Sequence, residues 1–215
     1  MRSAVFPPLS TSWHTRLNPH LTARDFFNPR GDRGPSTGDI THYFISEWLY
    51  ELPRFTNVSS AVARHVLGGW QVSGIFLAST GEPVNITQGS TIPTSRADYV
   101  GGRIVNSDYR KTLQYLNRAA FAPVAVNQTS RATVRPGSAG NGLVRAPGAW
   151  NLDFTLAKNF SITERVKFQL RTDMFNAFNH TNLSGLRTSI NDQFFGQLLG
   201  TRGARVIQLN ARLSF

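Results

Sequence analysis

No cysteine occurs in the 215 residues, which removes disulfides, thiolate metal sites and cysteine nucleophiles together. Acidic side chains are scarce: 12 Asp and Glu stand against 23 Lys and Arg, a formal charge of +11. No run approaches the roughly eighteen consecutive apolar residues of a membrane-crossing helix. The opening MRSAVFPPLSTSWHTRLNPH has no sustained apolar stretch, so no secretory leader is expected in it. The five histidines, His14, His20, His42, His65 and His180, form no i,i+4 pair, and HExxH spacing is absent. The glycine clusters GNGLVRAPG and GGR lack the GK[ST] of a phosphate loop. The expectation is a non-enzyme with no metal and no cofactor.

What is present is turn chemistry and period-two patterning. With 11 prolines and 18 glycines, the chain is expected to be all-β with many turns. In AWNLDFTLAKNF, the residues Trp150, Leu152, Phe154, Leu156, Lys158 and Phe160 alternate with Asn151, Asp153, Thr155, Ala157 and Asn159. In ERVKFQLRTDMF, Val166, Phe168, Leu170, Thr172 and Met174 alternate with Arg165, Lys167, Gln169, Arg171 and Asp173. The terminal ARVIQLNARLSF sets Ile207, Leu209, Ala211, Leu213 and Phe215 against Val206, Gln208, Asn210, Arg212 and Ser214. Such alternation makes strands with one dry and one wet face. Two further runs, DITHYFISEWLYEL and GGWQVSGIFLASTGEPVNIT, also read as strands. The second carries a possible bulge near Gly81, and Ile75 and Leu77 make its wet face partly apolar.

Each clean run is about ten residues long, matching the roughly nine to eleven that cross a bilayer as a tilted strand. The connections alternate between long and short: Met1 to Asp39, Gln88 to Gly148 and Ala177 to Ala204 are long and irregular, whereas SIT joins two strands directly. Structureless connections of that size are unusual in compact domains but expected in outer-membrane barrels, with short periplasmic turns and long extracellular loops. Antiparallel strands put all the long connections at one end, which places Phe215 and the C-terminus at the periplasmic, short-turn end. Trp48, Tyr50, Trp70, Phe160 and Phe215 then sort to the short-turn end, and Trp150 and Phe175 to the long-loop end, as aromatic girdles.

A turn centred on Ile162 predicts a hairpin of 149–160 with 164–176, with Phe154 beside Leu170, Asp153 beside Arg171 and Asn151 opposite Asp173. On that register Asp153 and Asp173 are members of ordinary cross-strand pairs and not a catalytic acid/base couple. The excess positive charge leaves an alternative: a soluble basic β-domain binding nucleic acid or another polyanion through Arg103, Arg110, Lys111, Arg118, Arg131, Arg135 and Arg145, with Tyr109 and Tyr115 as stacking partners. No nucleic-acid-binding motif organises those residues, so nucleic acid is not the expected partner.

LGGWQVSGIFLASTGEPVNIT, PGAWNLDFTLAKNFSITERVKFQLRTDMFNAFNHTNL and FGQLLGTRGARVIQLNARLSF resemble the C-terminal barrel of TonB-dependent receptor-like proteins. The subgroup they are most similar to is the Oar-like outer-membrane proteins abundant in acidobacteria, and NPRGDRGPSTGDITHYFISEWLYELP resembles the segment just upstream. The resemblance spans about Asn28 to Phe215. It implies residence in the Gram-negative outer membrane, a transport-associated role, and contact with outer-membrane lipid and lipopolysaccharide. It also implies that Leu209, Ala211, Leu213 and Phe215 form the signal read by the barrel-assembly machinery. Family barrels have about twenty-two strands, so five strands read as an incomplete barrel that needs the remainder of a larger one. The chain is accordingly expected to be a gene fragment, a split gene or a remnant. TonB contact is expected only through N-terminal regions this sequence lacks. The expected organisation is an irregular extracellular segment over 1–39, followed by transmembrane strands and loops over 40–215.

Overall fold

The computed structural model describes residues 29–53, 60, 66–89 and 95–215. Most of the expected 1–39 segment, together with His14, His20 and His65, lies outside the described residues. The strands in chain order are β1 (Tyr43–Glu51), β2 (Trp70–Ser79), β3 (Pro83–Val84), β4 (Asp98–Tyr99), β5 (Phe121–Ala122) and β6 (Val144–Arg145). They continue with β7 (Ala149–Ser161), β8 (Lys167–Phe175), β9 (Leu183–Leu186), β10 (Leu198–Thr201) and β11 (Val206–Ser214).

The five long strands form one antiparallel, unclosed sheet in the order β1-β2-β7-β8-β11. Each of the five alternating runs read from the sequence supplies one of them. The run GGWQVSGIFLASTGEPVNIT is broken where a bulge was expected: β2 stops at Ser79 and the chain resumes as β3. Gly81 sits so close to the backbone of Ala146 that a Cβ there would fall on the Ala146 carbonyl oxygen, and only glycine fits.

One expectation is corrected. β7 and β8 do form the hairpin, with even positions facing even positions, but the turn is centred on Glu164 and not Ile162. Phe154 therefore faces Met174, and Arg171 faces Ala157. The amides of Ile162 and Thr163 both donate to the Val166 carbonyl (3.0 and 3.1 Å), and the Val166 amide donates to Thr163 Oγ1 (3.0 Å). Two registers of the same parity expose the same faces, so the apolar pattern alone does not separate them. The turn does.

The second correction concerns the long connections, which are not irregular loops. They carry the core of the chain: Ile86, Leu116, Phe121, Ile190, Phe195 and Leu198 are buried against one another. The segments interlock through backbone bonds. Thr87 exchanges bonds with Thr188 and Ile190 (3.0 and 2.8 Å), Tyr115 donates to Gly196 (2.7 Å), and Leu198 donates to Leu113 (2.9 Å). The Gln88 side chain, itself buried, bonds both backbone groups of Val124 (2.6 and 2.7 Å), standing in for a strand partner. Residues 29–42 join the same body through the Asp32–Arg96 ion pair and through Asp39, which accepts from Arg145 at 2.5 Å. All three long segments thus fold into one cap at one end of the sheet. Arg135 chelates Asp98 (2.6 and 2.9 Å), and that guanidinium holds the Asp98 carboxyl below the usual carboxylate range. Burial pushes the Tyr115 phenol up, and its hydroxyl donates to the Arg145 carbonyl at 2.7 Å.

Candidate functional site

The sheet has two chemically distinct faces. On one, the register brings together Val72, Leu156 and Thr172, then Phe76 and Leu152, then Gly74, Phe154 and Met174. β11 extends this face with Ile207 beside Met174, Leu209 beside Thr172, Ala211 beside Leu170 and Leu213 beside Phe168. The opposite face carries Asn151, Thr155, Gln169, Arg171, Asp173, Gln208, Asn210 and Arg212. A face this apolar and continuous needs cover from lipid or another apolar layer.

Aromatic rings mark both ends of the apolar face. At the cap end Phe44, Phe76 and Trp150 follow one another at 6.1 Å between centroids, and His180 stacks on Trp150 at 4.1 Å. At the short-turn end Phe160 meets Phe168 at 5.9 Å beside Trp70. Lys158 lies on this apolar side with its ammonium 4.9 Å from the Trp70 ring and 5.3 Å from the Phe160 ring. It donates to the carbonyls of Val66 (2.9 Å) and Gly68, so the charge is turned into the short connection and away from the apolar surface.

Two rings are not where the sequence reading sorted them. Trp48 sits in mid-sheet opposite Gly74, 5.9 Å from Phe154, and its indole fills the space that glycine leaves. A Cβ on Gly74 would stand 2.5 Å from Trp48 Cζ2. Phe175, at an odd position of β8, lies on the polar face, because the alternation that places Met174 on the dry side puts Phe175 on the wet one. Gly74→Val is expected to displace the indole and cost about 1–3 kcal/mol by overpacking. Much of that loss should return in the Gly74→Val/Trp48→Ala double variant, and denaturant unfolding of the four members of the cycle checks it.

The two aspartates do not form a couple. Asp173 accepts from Thr155 (2.6 Å), from Arg171 Nε (2.8 and 3.0 Å) and from Asn210 (3.1 Å). Asp153 accepts from Asn151 (2.7 Å) and from the Asn176 amide (2.9 Å). Arg171 thus bonds the acid two residues along its own strand, not Asp153 as expected. Each carboxylate is tied into a strand-crossing network that orients it as structure.

The FNAFNHTN stretch has a role that sequence reasoning left unread. Asn176, buried and with φ of 50°, donates to the carbonyls of His180 (3.0 Å) and Gly203 (3.1 Å) and accepts from the His180 amide (2.9 Å). Asn182 bonds the backbone N–H and C=O of Trp150 (3.0 and 2.8 Å), extending the ladder of β7 with a side chain. Together they clamp both ends of the 177–203 connection to the top of the sheet. A run of Asn beside Phe at a strand end is the signal for such a clamp, since Asn tolerates positive φ and carries both a donor and an acceptor.

Of the basic residues singled out in the sequence, Arg135 and Arg145 are ion-paired, and Arg110 and Arg118 lie over the rings of Tyr109 and Phe195. Tyr115 is buried in the cap core, its ring edge-on to Tyr109 at 4.8 Å, and offers no face for a base to stack on. Leu209, Ala211, Leu213 and Phe215 line the outer side strand, β11, whose residues are all exposed; Leu209 is 80% and Phe215 96% exposed. Nothing among the described residues covers that terminal ring.

Residues 9–208 match the model of a family described as an outer membrane beta-barrel domain. No curated protein and no solved structure matches the chain.

Proposed function

Because the chain belongs to the outer membrane beta-barrel domain family, we propose that it serves as wall and extracellular cap of a TonB-dependent receptor-like, Oar-like barrel, transport-associated and non-catalytic. The observation that carries this reading is the two-faced sheet, whose apolar side is bounded by aromatic rings at both ends and whose long connections all gather at one end. In a bilayer the apolar face meets lipid and the polar face lines the lumen. The cap is then extracellular, where its exposed arginines meet lipopolysaccharide, and the short turns and Phe215 are periplasmic. Leu209, Ala211, Leu213 and Phe215 act as the strand signal for the barrel-assembly machinery, by addition of the open β11 edge to another sheet edge.

The open edges also constrain the partner. β1 and β11 both run away from the cap, and each has a hydrogen-bonded neighbour on one side only. An all-antiparallel barrel closes across two parallel edge strands only through an odd number of further strands. A second copy with its cap on the same side supplies five, but it would meet both edges in parallel. The remainder of the barrel is therefore a different β-sheet segment. In lipid, each edge group left unpaired costs several kcal/mol, which makes that complement obligatory.

The test is location and sidedness. Expressed with its barrel partner strands, the chain should fractionate with the outer membrane. A protease site placed at Gln128 in the cap should be cut in intact cells, and one at Glu164 only after the outer membrane is opened. Recovery as a detergent-free soluble monomer overturns the reading.

A further inference from the structure

The polar face is not uniformly polar, and the exception has a shape. On the β1–β2 half, Tyr43, Ile45 and Leu49 point to the same side as Leu77 and Ile75, and Ile45 lies directly opposite Leu77. Ile45, Leu49 and Ile75 are 54%, 62% and 46% exposed. On the β7–β8–β11 half the same face holds the Asp173 network and no large aliphatic side chain between Asn151 and Ser161 or between Gln208 and Arg212.

The upper end of this apolar stripe runs into a cavity of about 320 Å³ between the sheet and the cap. Tyr43 and Leu77 form its sheet side, and Leu183, Leu186 and Leu198 form its cap side, with Glu82 and Arg202 also in its lining. The sheet residues contributing to it are odd-numbered ones, so the cap overhangs the face assigned above to the lumen. A water-filled lumen does not need a leucine-walled recess continuous with a strip of isoleucine and leucine. Along β1 the strip covers the six residue steps from Tyr43 to Leu49, roughly 20 Å at the rise of an extended strand.

We propose that this strip and the recess above it bind an elongated apolar or amphipathic small molecule, its chain along Ile45, Leu49, Ile75 and Leu77 and its polar end at Glu82 and Arg202. The proposal rests on the reading that the odd-numbered face lines the lumen. Recesses of a few hundred Å³ with mostly apolar walls and a few polar groups are the usual form of a small-molecule site. Continuity with a cavity already walled by this chain's own cap favours a solute there over a docked protein segment, which would need the recess filled by side chains.

The absence of cysteine makes the test clean, since Leu77→Cys, Leu186→Cys or Gln208→Cys each introduces the sole thiol. The full chain in lipid nanodiscs is treated with a water-soluble maleimide, with and without 1-decanol as the probe. Decanol should slow labelling of Leu77→Cys and Leu186→Cys several-fold and leave Gln208→Cys, on the polar half of the same face, unchanged. Adding Leu186→Trp to the Leu77→Cys chain should fill the recess and abolish the protection. Equal slowing at all three positions, or none at any, overturns the proposal. So does a Leu77→Cys that is unreactive before decanol is added while Gln208→Cys labels freely, because a protein segment then covers the strip. Outer-membrane location is scored separately by fractionation, so failure of that reading is distinguishable from failure of this one.

Discussion

Leu156→Arg should lower the unfolding free energy of the assembled barrel in phospholipid vesicles by about 2–4 kcal/mol, the cost of a guanidinium near mid-bilayer on the lipid face. Leu156 stands between Val72 and Thr172, near the middle of the longest strand and between the two aromatic ends of the apolar face. Its neighbour in the chain supplies no fair control, because Thr155 is bonded to Asp173. Ser73 does: it lies on the polar face between Leu49 and Thr155, and Ser73→Arg should cost little in the same assay. Equal costs, or a larger one at Ser73, would mean that the faces are assigned the wrong way round. Phe168, also apolar-facing, is a weaker probe of the bilayer centre. It is the second residue of β8, beside the short turn, where an arginine can reach the headgroups.

The strands and their faces were legible because period-two patterning is a local property, and β7, β8 and β11 keep it for nearly their whole length. Register was legible only up to parity. Shifting β8 by four residues leaves Phe168, Leu170 and Met174 on the dry side, so the choice fell to the Thr163 hydroxyl in the turn, a contact with no periodic trace. The cap was illegible for a different reason. Its strands β3 to β6 are two residues long, and its core residues Ile86, Leu116, Phe121 and Ile190 come from widely separated positions with no common period. Trp48 read as an interface ring because depth was judged by distance from the strand end. What decides its place is the hole left by Gly74 one strand away. The Asn176 and Asn182 clamp lay inside a motif that was noticed, yet pattern alone does not say which backbone groups a side-chain amide will meet. The outer-membrane location, by contrast, was written in the loop lengths as well as in the strands. Long connections are tolerable only where they can fold on themselves at one end, as this cap does.

The terminal phenylalanine is expected to matter for a reason unlike that of any buried ring in the chain. A Phe→Ala change in a packed core costs about 3–5 kcal/mol wherever folding takes place. Phe215 is 96% exposed and β11 is paired only to β8, so the ring has no packing of that kind to lose within these residues. Leu209, Ala211, Leu213 and Phe215 share one side of an open edge. That edge is what another sheet can pair with before the barrel closes, and closure then removes it. On the assembly-signal reading, Phe215→Ala should sharply lower the amount of barrel reaching the outer membrane in cells. Spontaneous folding of the same variant into detergent should change far less, because no machinery has to recognise the strand there. Loss of similar size in both assays would assign the ring an ordinary packing role against strands beyond β11. No loss in either would leave recognition to the three aliphatic residues, which the triple variant Leu209→Ser/Ala211→Ser/Leu213→Ser, compared in the same two assays, would then have to carry.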